Sequence, residues 1–171
     1  MAAKTRLNTV FIRVIDYPAR KLILKRGIKA IHWGEYGLEM GFGVMDELKK
    51  ITGAINEPGG IWLPKYLRKP GTSEFVMGVD MPVDYPGPVP GGFEMIDLMS
   101  CQMMVFQGPP FEEPDLTKAI MKLWKVLDNF NPEIYGYAWA DEDGPRYQYE
   151  PLPHRGALEA LPVRQLIARS Q

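Results

Sequence analysis

The feature that most restricts this fold is the order in which hydrophobic periods follow one another, and its recurrence on both sides of one Pro/Gly segment. Residues 10–17 set Val10, Ile12 and Val14 against Phe11, Arg13 and Ile15, and residues 20–26 alternate again. Period two marks strands with one buried face. Pro18-Ala19 lies between them and predicts a turn, hence a hairpin. Over residues 32–51 the period changes: Trp33, Tyr36, Met40, Val44, Leu48 and Ile51 recur at three and four residues, as on one face of a helix. Gly34, Gly37, Gly41 and Gly43 weaken this helix, each by about 1 kcal/mol relative to Ala, which suggests close packing against the sheet or a ligand. Short strands at 61–63 and 74–79 follow.

Residues 84–92, Asp-Tyr-Pro-Gly-Pro-Val-Pro-Gly-Gly, form the natural boundary, and the order then repeats. Residues 93–98 and 102–107 read as a hairpin around Met99-Ser100-Cys101. The clearest helix, 115–130, follows, with Pro114 near its start and Pro132 after its end. Its stripe is Leu116, Ala119, Ile120, Leu123, Trp124, Leu127 and Phe130, and strands at 146–150 and 157–163 close the half. Such a duplication predicts an α+β domain whose strands join one larger antiparallel sheet with the helices over one face. A cleft along the pseudo-symmetry axis is then a natural binding site. The expected unit is one domain over 1–171, with pseudo-repeats at roughly 8–84 and 92–164.

Length and charge narrow the function. The chain has 171 residues, enough for one core, and a formal net charge of -1, which predicts no attraction to nucleic acid or to an anionic membrane. Cys101 is the single cysteine, so no intramolecular disulfide can form and a reducing compartment is expected. The N-terminus lacks a secretory apolar core, and no apolar run approaches the ~20 residues that cross a bilayer. A cytoplasmic protein is therefore expected. The 10 Met residues fill core gaps or suit an adaptable binding surface.

Few residues offer catalytic chemistry. His32, His154 and Cys101 match no zinc spacing, and Asp141-Glu142-Asp143 reads as a solvated loop, so no metal is expected. Gly-x-Ser-x-Gly, Gly-x-Gly-x-x-Gly and Walker A patterns are absent, and no cofactor is expected. The aromatic residues carry more information. Trp33 and Tyr36 share the first helical face, and Trp62 lies in the following strand. Tyr135, Tyr137 and Trp139 alternate, as do Tyr147 and Tyr149. Single rings usually serve the core, yet a set of this size can wall a cleft that stacks planar ligands and attracts cations. Glu159 stands among apolar neighbours in Ala157-Leu-Glu-Ala-Leu-Pro-Val163. If buried alone its pKa would rise and a bound cation could repay its desolvation; otherwise it pairs with Arg155 or Arg146.

The stretches Trp62-Leu-Pro-Lys-Tyr-Leu-Arg-Lys-Pro-Gly-Thr-Ser, Met103-Met-Val-Phe-Gln-Gly-Pro-Pro, Asn131-Pro-Glu-Ile-Tyr-Gly-Tyr and Pro145-Arg-Tyr-Gln-Tyr-Glu-Pro resemble the effector-binding domains of AraC-type bacterial regulators, within the GyrI-like (gyrase-inhibitor-like) superfamily, in a stand-alone form. The resemblance covers nearly the whole chain. It implies a tandem βαββ fold with pseudo-two-fold symmetry and a central ligand cleft. It further implies binding of lipophilic cations by rings around a glutamate of the last strand, here Glu159. Family members often set that glutamate one residue further from the strand-ending proline. A one-residue shift reverses the face, so either a bulge restores it or Glu150 takes the role. No helix-turn-helix fits before Val10 or after Val163, and residues 164–171 are expected to be a short helical extension.

The leading expectation is a module that senses or sequesters a lipophilic, aromatic or cationic compound. Its lining would be Trp33, Tyr36, Met40, Trp62, Phe106, Tyr137, Trp139 and Tyr147, with Glu159 supplying charge. Two alternatives share the resemblance. One is a hydrolase of cyclopropane-type electrophiles, needing neither metal nor nucleotide, with Glu159 or Glu150 as general base and a tyrosine such as Tyr147 as donor. The other is a protein partner that modulates a topoisomerase.

Overall fold

The computed structural model describes residues 9–167. In the first half, β1 (Phe11–Tyr17) and β2 (Arg20–Arg26) lead into helices α1 (Trp33–Met40) and α2 (Val44–Lys49), then β3 (Gly59–Trp62) and β4 (Phe75–Met81). In the second half, β5 (Glu94–Leu98) and β6 (Cys101–Gln107) precede helix α3 (Leu116–Asp128), a short β7 (Tyr137–Trp139), β8 (Arg146–Tyr149) and β9 (Leu158–Gln165). All belong to one 9-stranded sheet of order β1-β6-β9-β8-β3-β4-β2-β5, with β7 beside β9. Within it, β3-β4-β2 and β8-β9-β6 are the same arrangement, and they meet where β3 pairs with β8. The tandem order read from the sequence is the order observed.

The two expected hairpins do not form. β1 pairs with β6 and β2 with β5, and the two ladders keep one register: Tyr17 faces Cys101 and Arg20 faces Leu98. β1 and β2 are thus one long strand bent at Pro18-Ala19, running antiparallel to β5 and β6, which bend at Met99-Ser100. The reason lies in the connecting residues. A two-residue reversal needs positive φ at one or both central positions, and among the described residues only glycines have positive φ. Neither corner contains glycine, so each bends without reversing. Because β2 also pairs with β4 and β6 with β9, the sheet curls back upon itself.

Its inner face is one apolar core. Leu22, Leu24, Ile61, Val76, Met103, Val105, Tyr147 and Ala160 pack there from strands of both halves. The outer face carries the helices in two separate clusters. α1 and α2 lay Tyr36, Val44, Met45 and Leu48 on Ile23, Phe75, Met77, Val79 and Met81. α3 lays Leu123 and Leu127 on Met104, Phe106 and Val163. The single helix expected over 32–51 is broken: Gly41 has φ 90° and caps α1, and α2 starts after Gly43. That conformation is open to glycine and strained for other residues. Of the expected helical extension, Arg164 and Gln165 end strand β9, and residues 168–171 lie outside the described residues.

Candidate functional site

The seam between the halves is floored by a row of residues facing the helices. Register carries it from Gly60 on β3 to Gln148 on β8, Glu159 on β9, Phe106 on β6 and Ile12 on β1. Two residues along the strands, on the same face, Trp62 pairs with Arg146. A cavity of about 280 Å³ opens there, lined by Trp62, Pro64, Arg68, Asp141, Arg146 and Leu161 among others. It lies between the α1–α2 cluster, to which Trp62 belongs, and the α3 cluster, to which Leu161 belongs.

Glu159 is the chemical centre of this seam. It is 1% exposed, yet its oxygens are well served. Arg146 donates to Oε1 from Nε at 3.1 Å and from Nη2 at 2.6 Å, and the Trp124 indole N–H donates to Oε2 at 2.5 Å. Arg146 reaches it as a diagonal cross-strand neighbour, a spacing that long side chains span. The same guanidinium lies 5.0 Å from the Trp62 ring centroid, within cation–π range. Trp62, Arg146, Glu159 and Trp124 therefore form a line across the seam, from one half to the other. Burial pushes the Glu159 carboxyl above its ordinary value, and the Arg146 charge and the hydrogen bonds offset only part of the rise. Arg68 is held by the Leu63 carbonyl and by Glu74, at 2.9 and 2.6 Å.

The expected lining residues divide into several groups. Trp62 borders the cavity. Trp33 packs against Gly60, where a Cβ would overlap its indole nitrogen and approach Phe75 Cζ to 2.7 Å. Tyr36 lies behind Trp62, linked through Phe75, with ring separations of 5.7 and 5.1 Å. Its hydroxyl donates to the Lys25 carbonyl. Met40 packs within the α1–α2 cluster. Phe106 is fully buried beneath α3, edge-on to Phe130 at 5.0 Å and tilted against Trp139 at 6.2 Å; Tyr137 belongs to the same cluster. Tyr135, expected to share a strand face with Tyr137 and Trp139, instead sits in a helical turn and stacks on Phe130.

Tyr147 stands apart. It pairs with Ala160, so it points to the opposite face of the sheet from Glu159. There it bridges Arg20 and Asp80, accepting from Arg20 Nη2 at 2.9 Å and donating to Asp80 Oδ1 at 2.8 Å. Burial raises its pKa well above the ordinary phenol value. Glu150 pairs with Lys49 at 3.0 Å with its side chain half exposed. Arg155, the other candidate partner of Glu159, pairs with Glu57. Among the described residues no cluster of His, Cys, Asp and Glu could hold a metal ion, and no helix is long and apolar enough to cross a membrane.

Sequence reasoning passed over Trp124 and Gly60 as site residues, and offered Arg146 only as one of two possible partners of Glu159, which it is. Trp124 was legible in part, since an indole on a helix's buried stripe needs an acceptor for its N–H.

Comparison with solved structures reports on this architecture. SAV2435, solved bound to tetraphenylphosphonium, superposes with a TM-score of 0.55 at 12% identity, over 90% of this chain and 94% of that one. A bacterial transcription regulation protein from Staphylococcus aureus MU50 gives 0.51 at 11% identity, over 90% and 98%. EcmrR, from its DNA complex, gives 0.51 at 11% identity, over 92% of this chain but 58% of that one. The chain has the fold of these proteins. No protein-family model and no curated protein matches its sequence.

Proposed function

We propose that the seam cavity binds small lipophilic aromatic molecules, cationic ones among them, and that the protein senses or sequesters them as a GyrI-like domain. The observation that carries this reading is one open cavity between the halves, bordered by the Trp62 indole and by Arg146, whose guanidinium lies over that indole and pairs with the buried Glu159 carboxylate behind it. Its volume of about 280 Å³ is close to the lower end of the usual range for ligand sites, about 300 Å³. The shared fold with a protein solved around tetraphenylphosphonium supports the same class of ligand. A hydrolytic role for Glu159 is less well supported, because a general base must reach the proton it takes and this carboxylate is 1% exposed behind Arg146 and does not line the cavity.

The test is a calorimetric titration with tetraphenylphosphonium and with its neutral relative triphenylphosphine oxide, on wild type and Trp62→Ala, with mass analysis of the recovered compound. Saturable binding of at least one probe, weakened by Trp62→Ala and leaving the compound intact, is the expected result. Absence of binding by both probes, or binding indifferent to Trp62, would overturn the reading. The hydrolase alternative is read with a cyclopropane-type electrophile in place of these probes, and a recovered mass increased by one water would make the protein a hydrolase.

A further inference from the structure

The seam already contains a cation. The Arg146 guanidinium lies over the Trp62 ring at 5.0 Å and donates two hydrogen bonds to Glu159. Those are the two contacts an aromatic cation would seek, a π face and a carboxylate. Trp124 steadies the carboxylate from behind, on the oxygen Arg146 does not use. The opposite side of the guanidinium is open: Arg146 lines the cavity and is 34% exposed, whereas Glu159 behind it is 1% exposed. An incoming molecule therefore meets Arg146 first and reaches Glu159 only if that side chain moves.

We propose that Arg146 is the resident occupant of a cation slot, and that an aromatic cation binds by displacing its guanidinium from Glu159 and Trp62. This rests on the cavity being the ligand site. Arg146 is then a specificity-determining residue. While it is in place the negative charge of Glu159 is neutralised, and the open cavity suits neutral aromatic molecules that stack on Trp62. A cation must compete with a tethered rival, so its apparent affinity falls by the fraction of time the slot is free. Arginine suits the part because its flat guanidinium can stack and pair with the carboxylate at the same time.

The experiment compares wild type, Arg146→Met, Arg146→Lys and the double variant Arg146→Met/Glu159→Gln, at about pH 8 so that an unpaired carboxylate ionises. Methionine keeps an unbranched apolar stem without the charge. Tetraphenylphosphonium should bind Arg146→Met about ten-fold or more tightly than wild type, its affinity rising relative to that of triphenylphosphine oxide. The gain should be lost in the double variant and be smaller for Arg146→Lys. Unchanged or weaker cation binding by a folded Arg146→Met, with the neutral probe still bound, overturns this proposal and leaves the cavity reading standing. Failure of both probes on every form sinks both. Because Arg146→Met leaves a buried charge and could unfold, a second measurement uses wild type alone. Saturating tetraphenylphosphonium should move the Arg146 Nε–H resonance in 15N NMR, and an unmoved resonance at saturation also overturns the proposal.

Discussion

The corner where β1 passes into β2 rests on one buried ion pair, and its removal has a calculable cost. Arg20 and Asp80 are each 1% exposed, with Nε 3.3 Å from Oδ1. Arg20 also donates to the Pro18 carbonyl at 3.0 Å and to the Met99 carbonyl at 3.2 Å, so it ties both bent corners together. In Arg20→Met, Asp80 keeps the Tyr147 hydroxyl but loses its counter-charge, and the two carbonyls lose a donor. Breaking a buried pair from one side costs about 3–5 kcal/mol, a large part of the 5–15 kcal/mol typical of a domain. Asp80→Leu should cost a similar amount by stranding the guanidinium. The double variant Arg20→Met/Asp80→Leu strands neither charge, so it should be less destabilised than the sum by about 2–3 kcal/mol. Urea unfolding at constant m-value measures all four proteins. A single-variant cost below about 1 kcal/mol, or additivity in the double variant, would refute the reasoning.

Three further outcomes follow from the seam. Gly60→Ala pushes a methyl into Trp33 and Phe75 and should cost about 1–3 kcal/mol as overpacking, read by urea denaturation; a neutral effect would mean Trp33 moves freely. Trp124→Phe keeps a ring but removes the donor to Glu159 Oε2. It should lose about 1–3 kcal/mol, and a stability equal to wild type would show that hydrogen bond to be idle. Burial raises the folded-state pKa of Glu159 above 4.5. Its stabilising contribution is therefore full below the ordinary glutamate value and lost as pH rises through the raised one. The stability difference between wild type and Glu159→Gln should fall across that window, and a difference that grows with pH would reverse the assigned direction.

Much of this was legible in the sequence, for identifiable reasons. The period of two and the period of three to four marked strands and helices in the right order because each element buries one face. The bounds of α3 differ from expectation by only a residue or two at each end. The pairing of β1 and β2 was misread by attending to Pro18 as a turn residue and not to the lack of glycine beside it. Glu159 stood out because its neighbours are apolar, and its partner Arg146 was one of two arginines within reach. The face of Tyr147 could not be fixed before the β8–β9 register was known, since a shift of one residue reverses every side chain. Nor could Gly60 be singled out, because the indole that fills its missing Cβ arrives from a distant helix.

The two bent strands also set a timetable for synthesis. Among the described residues β1 has no ladder partner in its own half: it pairs with β6, whose first residue is Cys101. As the chain emerges, the apolar side of β1 carrying Ile12 and Val14 waits through the whole first half, and β2 likewise lacks β5 along one edge. An unpaired apolar edge held open during synthesis invites pairing with another chain. Chains interrupted near the Pro/Gly boundary should therefore leave sticky fragments instead of half-sized folded domains, and the second half must arrive before the first is complete.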